Sequence, residues 1–362
     1  MKSINTATYF SLFNEKNGVY LRIGRDERGR LCGCDPFKGD FPELLDVGIM
    51  GHCIHGKSGL CIKSGVECYQ DGLHSEAPNM SLEDFRKIVE QCRNRVYQIA
   101  LGGCGDPDQH ENFEDILRLC RENGIVPNFT TSGFGMTKDL AAVCKKYCGA
   151  VAVSYYRGAY TKKALSLLLD KDVKTNIHFV LSSASVGEAI TLLKERSDNS
   201  FTEGINAIIF LLHKPVGLGT KDNVLSIHDD QVREFFELID RGSFPYKIGF
   251  DSCSVPALLN FNKIIPESVD SCEGARWSAY ISPDMKLMPC IFDTQSRRWA
   301  VDLHTHTIEQ AWNTAIFEDF RSRLSSSCPD CEKQRSCFGG CPIKPSIVLC
   351  DRKERTINEN TN

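Results

Sequence analysis

The sequence predicts an α/β fold. It consists of a partial (β/α)6 barrel over residues 44–240, a β extension over 1–43 and a cysteine-rich domain over 241–350. Three observations predict it. Six short apolar runs alternate with amphipathic stretches from Leu44 onward; the alternation stops after about residue 240; and cysteines crowd into the segment beyond. Repeated β-α units argue for a parallel sheet with right-handed crossovers. Six units are too few for a closed eight-stranded barrel, so an open or partial one fits.

In chain order, GVYLRIGRD from Gly18 and LCGCDPF from Leu31 are strand-like and form the extension. The barrel strands are LLDVGIM from Leu44, VYQIALGG from Val96, IVPNFTT from Ile125, AVAVSYY from Ala150, KTNIHFVLS from Lys174 and INAIIFLL from Ile205. Each is rich in β-branched or aromatic residues and short enough for a buried parallel strand. The intervening helices have recognisable ends. Ser81 precedes LEDFRKIVEQC with Asp84 three positions on, as in a capping box, and Asn112 opens FEDILRLCREN with Gly124 behind it. Beyond 240, WSAYISPDMKLMPC from Trp277 alternates around a Pro283–Asp284 turn, as a hairpin does. The closing DRKERTINENTN, 351–362, is polar and is expected to be a disordered tail.

The chain has 362 residues and a formal net charge of −4, which disfavours a nucleic-acid backbone as a general partner. MKSINTATYF lacks the apolar core of a signal peptide. The most apolar segment, INAIIFLLH, falls far short of the ~20 residues that span a bilayer, so the expectation is a soluble, cytoplasmic protein. Eighteen cysteines in such a chain point to metal rather than to a disulfide framework. Cys92, Cys120, Cys144 and Cys148 lie in helix-like stretches and are expected simply to pack.

Two groups of cysteines remain. Cys53, Cys61 and Cys68 share the glycine-bearing loop GHCIHGKSGLCIKSGVECYQDG, which follows the first barrel strand. That is the carboxyl end of the strand, where such folds place their chemistry. Near the C-terminus, Cys328, Cys331, Cys337 and Cys341 run C-x2-C-x5-C-x3-C, with Cys350 beyond and Cys272 and Cys290 upstream. Zinc takes four ligands per structural site, so it explains the run of four and leaves the other three without a role. Iron–sulfur clusters use such a set more fully. Spacing alone leaves both metals open.

The seven C-terminal cysteines resemble the SPASM domain, the auxiliary-cluster extension of radical S-adenosylmethionine (SAM) enzymes, and the six β-α units resemble the radical SAM partial barrel. Together the two resemblances span roughly residues 44–350. They imply a four-iron cluster held by Cys53, Cys61 and Cys68, with one iron left open for SAM, and two auxiliary clusters. The family's usual C-x3-C-x2-C spacing is here C-x7-C-x6-C, and its hairpin-tip glycine is here Met285. By the same resemblance Cys328, Cys331, Cys337 and Cys350 belong to one auxiliary cluster and Cys272, Cys290 and Cys341 to the other. Cys253, unassigned in the linking segment, is the candidate for the missing fourth ligand of that second set.

The resemblance also carries over SAM contacts. LGGCGDP corresponds to the glycine-rich motif after the second strand, making Gly102, Gly103 and Asp106 candidates for the SAM amino group. Ser132 in TTSG, Ser154 in VSYY, and Val216 and Gly217 in KPVGLG follow the third, fourth and sixth strands. Tyr69 is a candidate to stack on adenine, although the family's aromatic residue usually precedes the last cysteine, where Glu67 stands here. His52 and His55 are expected to contact solvent or backbone.

Family members with this two-part architecture act mostly on peptides or proteins. The resemblance therefore implies a maturase that cleaves SAM reductively and uses the 5′-deoxyadenosyl radical to build a thioether or carbon–carbon crosslink in a ribosomally made precursor. Excision of a tyramine unit from a Nif11-type precursor, epimerisation, and sulfatase-maturase-like oxidation of Cys or Ser are alternatives. An external flavodoxin- or ferredoxin-type electron donor is implied. Because about 43 residues precede the first barrel strand, a separate leader-binding partner is expected, or recognition by an exposed strand edge of the extension. A non-enzymatic zinc-binding module is the competing class. It accounts for the C-terminal run but gives the loop after the first strand, LGGCGDP and the six units no common purpose.

Overall fold

The six barrel strands form side by side in one parallel sheet, as their apolar runs require. The computed structural model describes residues 1–33, 35–56, 58–65, 67–194, 202–264 and 269–351. At the N-terminus β1 (Lys2–Asn5), β2 (Tyr9–Asn14) and β3 (Val19–Gly24) make an antiparallel sheet in that order. LCGCDPF forms no strand among its described residues, and Leu31 makes only an isolated bridge to Arg25.

The main sheet holds β4 (Leu44–Met50), β5 (Gln98–Gly103), β6 (Val126–Thr131), β7 (Val151–Ser154), β8 (Thr175–Leu181) and β9 (Ala207–Leu212). They are joined in sequence order by parallel pairing. Two additions extend it. β10 (Lys247–Phe250) pairs in parallel with β9, a seventh strand that the apolar pattern did not announce because it is four residues long and pairs on one side only. β11 (Ser278–Ile281) pairs in parallel with β4, then turns into β12 (Lys286–Met288), which pairs with β13 (Val301–Asp302). Among the described residues β10 and β13 remain the free edges, so the sheet is open. The hairpin is the one predicted, with Met285 at φ 60°, the left-handed conformation that glycine adopts most easily.

One sheet face is apolar. Leu45, Val47, Ile49, Ile99, Leu101, Ile177 and Ile208 are buried in the core with the helices that cover them. The other face is partly polar. Asn128 donates to Gln98 (2.9 Å), Asn206 to Asn176 (2.7 Å), and Thr130 lies 3.2 Å from His178. Burial pushes the Asp46 carboxyl up to about 6. The strands thus read as half-buried, with a core behind and a polar lumen in front.

The helix caps follow the sequence. Ser81 accepts the Asp84 N–H at 3.1 Å and starts helix Leu82–Cys92, while Gly124 (φ 73°) ends helix Phe113–Glu122. Asn112 stands at the start of that second helix but makes no side-chain cap. Cys92, Cys120 and Cys144 are fully buried core residues. Among the described residues no helix is long and apolar enough to cross a membrane. Of the polar tail only Asp351 is described; 352–362 lie outside the described residues.

Candidate functional site

The loop that leaves the carboxyl end of β4 folds back on itself so that Gly72 stands between two of its cysteines. A β-carbon placed on Gly72 would lie 3.5 Å from the Cys53 sulfur and 3.6 Å from that of Cys68. Cys61, on the short helical turn Leu60–Lys63, is within electrostatic reach of both and has its Sγ 3.8 Å from Tyr156 Oη. Burial raises the Cys53 thiol and pushes Cys61 up to about 11, so with nothing bound Cys61 is protonated. Cys104 lies near the same group, its Sγ 3.5 Å from the Gln70 carbonyl oxygen.

The turn after β5 presses against this loop. Gly103 has φ 114° and no room for a side chain, because a β-carbon would collide with the Met50 backbone. Gly102 is open on its own side, with nothing within 4 Å of where a β-carbon would be. Asp106 follows, and Ser132 reaches it from the end of β6 with both its backbone N–H (2.9 Å) and its hydroxyl. His55 departs from expectation. It is 7% exposed, its Nε2 lies 3.5 Å from Asp106 Oδ2, and its ring packs against Phe134 at 4.7 Å. At that distance Nε2 makes no hydrogen bond of good geometry, but the carboxylate still raises the imidazole pKa. The fold brings Asp106 to His55 across a long sequence separation, which a local reading does not reveal. His52 does contact backbone, with Nδ1 3.2 Å from the Ala77 carbonyl oxygen. Asp108, buried beside Asp106, is pushed up to about 6 by desolvation and then by that neighbour.

A cavity of about 410 Å³ opens at the carboxyl ends of β6–β9, within the usual size range for a small-molecule site. Cys68, Tyr69, Ser154, Tyr156, His178 and His213 are among the residues that line it. Burial lowers His178 to about 4, so it is neutral at ordinary pH. Tyr69 and Ser154 are the predicted contacts that share this wall; Gly102, Gly103, Asp106, Ser132, Val216 and Gly217 do not line it.

Val216 is buried, and the loop holding it and Gly217 clasps the cysteine loop. Leu218 N–H donates to the Cys68 carbonyl (2.8 Å), and a β-carbon on Gly217 (φ 60°) would come within 2.5 Å of the Cys68 and Tyr69 carbonyl oxygens. Glu67 adds a second clasp by accepting the backbone N–H and hydroxyl of Thr220 at 3.0 and 3.1 Å.

The C-terminal thiols fall into two sets. Cys328, Cys331, Cys337 and Cys350 line one cavity of about 360 Å³. Cys253, Cys272, Cys290 and Cys341 form the other, linked by electrostatic contacts of Cys290 with Cys272 and Cys341, and of Cys253 with Cys341 and Cys290. Cys253 sits on the 3-10 turn Ser252–Ser254 directly after β10. Burial drives Cys272 up to about 12 and Cys337 to about 11.

Thiol-only donor sets fit iron–sulfur clusters or zinc in kind. Among the described residues no three Cys, His, Asp or Glu groups close on one point as around a single ion.

No protein-family profile and no curated protein matches the chain in sequence. Solved structures match in fold. SuiB from Streptococcus suis, determined bound to its precursor peptide SuiA, superimposes with a TM-score of 0.66 at 15% identity over 87% of this chain and 76% of its own. SuiB has also been determined bound to S-adenosylmethionine, with a TM-score of 0.65 at 15% identity over 87% of this chain and 77% of its own. The enzyme anSMEcpe, with bound AdoMet and the Cp18Cys peptide, gives 0.60 at 16% identity over 88% of this chain and 95% of its own. The chain therefore has the fold that its sequence resemblance implied, a partial parallel β/α barrel continued by a cysteine-rich region.

Proposed function

We propose that this chain is a radical SAM enzyme that modifies a peptide, in which Cys53, Cys61 and Cys68 hold a SAM-binding four-iron cluster and the two C-terminal thiol sets hold auxiliary clusters. The observation that carries the reading is the grouping of the cysteines. A set of three sits at the carboxyl end of β4, beside a cavity of small-molecule size, and two sets of four lie beyond the barrel. When bound, the first cluster supplies the electron that splits SAM into methionine and a 5′-deoxyadenosyl radical able to take hydrogen from an unactivated carbon.

The chain's own residues bind and orient. Gly102 and Gly103 let the backbone come close to the SAM methionine portion, and Asp106, steadied by Ser132, offers a carboxylate to its ammonium. Tyr69 and Ser154 line the cavity and would meet the nucleoside. Val216 and Gly217 act from behind, fixing the backbone of Cys68 and Tyr69. Fold-level likeness to proteins solved with bound peptides supports a peptide substrate. Crosslinking, through a thioether or a carbon–carbon bond, is the proposed outcome, with a leader-binding partner and an external electron donor supplying recognition and reducing power.

Anaerobically isolated protein tests this reading. It should be brown, contain iron and acid-labile sulfide, and release 5′-deoxyadenosine when reduced in the presence of SAM. A colourless protein that contains zinc alone would make it a binding module instead.

A further inference from the structure

Lys214 is a buried lysine to which the proposed function gives no task. It lies just beyond β9, is 7% exposed, and pairs its ammonium with the Asp251 carboxylate at the end of β10. Asp251 is itself pinned, accepting the Leu212 N–H at 3.1 Å and the Ser254 hydroxyl at 2.8 Å. The ammonium also stands 4.9 Å from the centroid of the Phe292 ring, two residues past Cys290, and Asp251 is two residues before Cys253. On its other side Phe292 packs against Tyr69, neighbour of Cys68, with ring centroids 5.4 Å apart. The pair is thus built in where the barrel meets the thiol set of Cys253, Cys272, Cys290 and Cys341.

Burying an ion pair is costly, and an apolar pair of the same volume often serves stability as well. This pair does something an apolar one would not do: it fixes an ammonium beside Phe292, two residues past Cys290, and against the carboxylate that leads into the turn carrying Cys253. Reducing an iron–sulfur cluster adds negative charge, and in a low-dielectric interior a fixed neighbouring cation stabilises the reduced form.

We propose that Lys214, held in place by Asp251, raises the reduction potential of the auxiliary cluster bound by Cys253, Cys272, Cys290 and Cys341. This inference rests on the iron–sulfur reading of those thiols. Its role is positional and electrostatic: Lys214 touches neither SAM nor a reacting atom.

The test is a potentiometric titration of the loaded enzyme, followed by electron paramagnetic resonance. In Lys214→Met the potential of one auxiliary signal should fall. At a fixed applied potential its oxidised-to-reduced ratio should rise about tenfold, equivalent to 59 mV for one electron. Lys214→Arg should stay near wild type, and Asp251→Asn, which removes the counter-charge, should move the potential the opposite way. Unchanged potentials in Lys214→Met and Asp251→Asn would overturn the proposal. If Lys214→Met loses the signal altogether, Asp251→Asn decides alone. Failure of the underlying reading looks different: Cys290→Ala would then leave every auxiliary signal and the iron content intact.

Discussion

Ser132 donates both its backbone N–H and its hydroxyl to the Asp106 carboxylate, joining the ends of β5 and β6 at the rim of the cysteine loop. Each of those carboxylate oxygens keeps acceptor capacity for a further partner. Asp106→Ala should therefore weaken SAM binding by about 10- to 150-fold, the equivalent of a charge-assisted hydrogen bond of roughly 1.5–3 kcal/mol. Calorimetry on the loaded enzyme measures this, and an unchanged dissociation constant would remove Asp106 from the site.

Gly217→Ala should loosen the clasp on Cys68. Alanine at φ 60° is strained by roughly 1–3 kcal/mol, and its β-carbon would press on two backbone carbonyls 2.5 Å away. The variant should melt at a lower temperature and bind SAM more weakly while keeping its auxiliary iron. Wild-type melting and affinity together would show that the KPVGLG loop does not position the cysteine loop.

Cys253→Ala should perturb the resonance signal of one auxiliary cluster and leave SAM cleavage largely intact. Its position on the turn after β10, in reach of Cys290 and Cys341, motivates the prediction. Full auxiliary iron with unaltered signals would make Cys253 a structural thiol and leave its neighbours as a three-ligand set.

The barrel was legible because its strands are apolar runs between capped helices; Ile99 and Leu101, for example, alternate with the lumen-facing Gln98 and Ala100. β10 was not, because KIGF is too short to show a period. Within the site, the cysteines announced themselves by residue type and by their place after the first strand. What pairs across the sheet did not. The approach of His55 to Asp106, the Lys214–Asp251 pair and the Glu67–Thr220 clasp are all contacts between distant segments, fixed by strand order rather than by local pattern. Gly217 was singled out by resemblance as a SAM contact; its close approach to the Cys68 and Tyr69 carbonyls is a further contact between distant segments.

The most direct measurement is 5′-deoxyadenosine release by a variant in which Cys53, Cys61 and Cys68 are all replaced by alanine. In the proposed arrangement these three thiols hold the four-iron cluster and leave one iron open to SAM, so cleavage should depend on them. The account predicts no release on reduction, with iron still present in the auxiliary clusters. Release at the wild-type rate would contradict it, because the loop after β4 would then not be where SAM is cleaved.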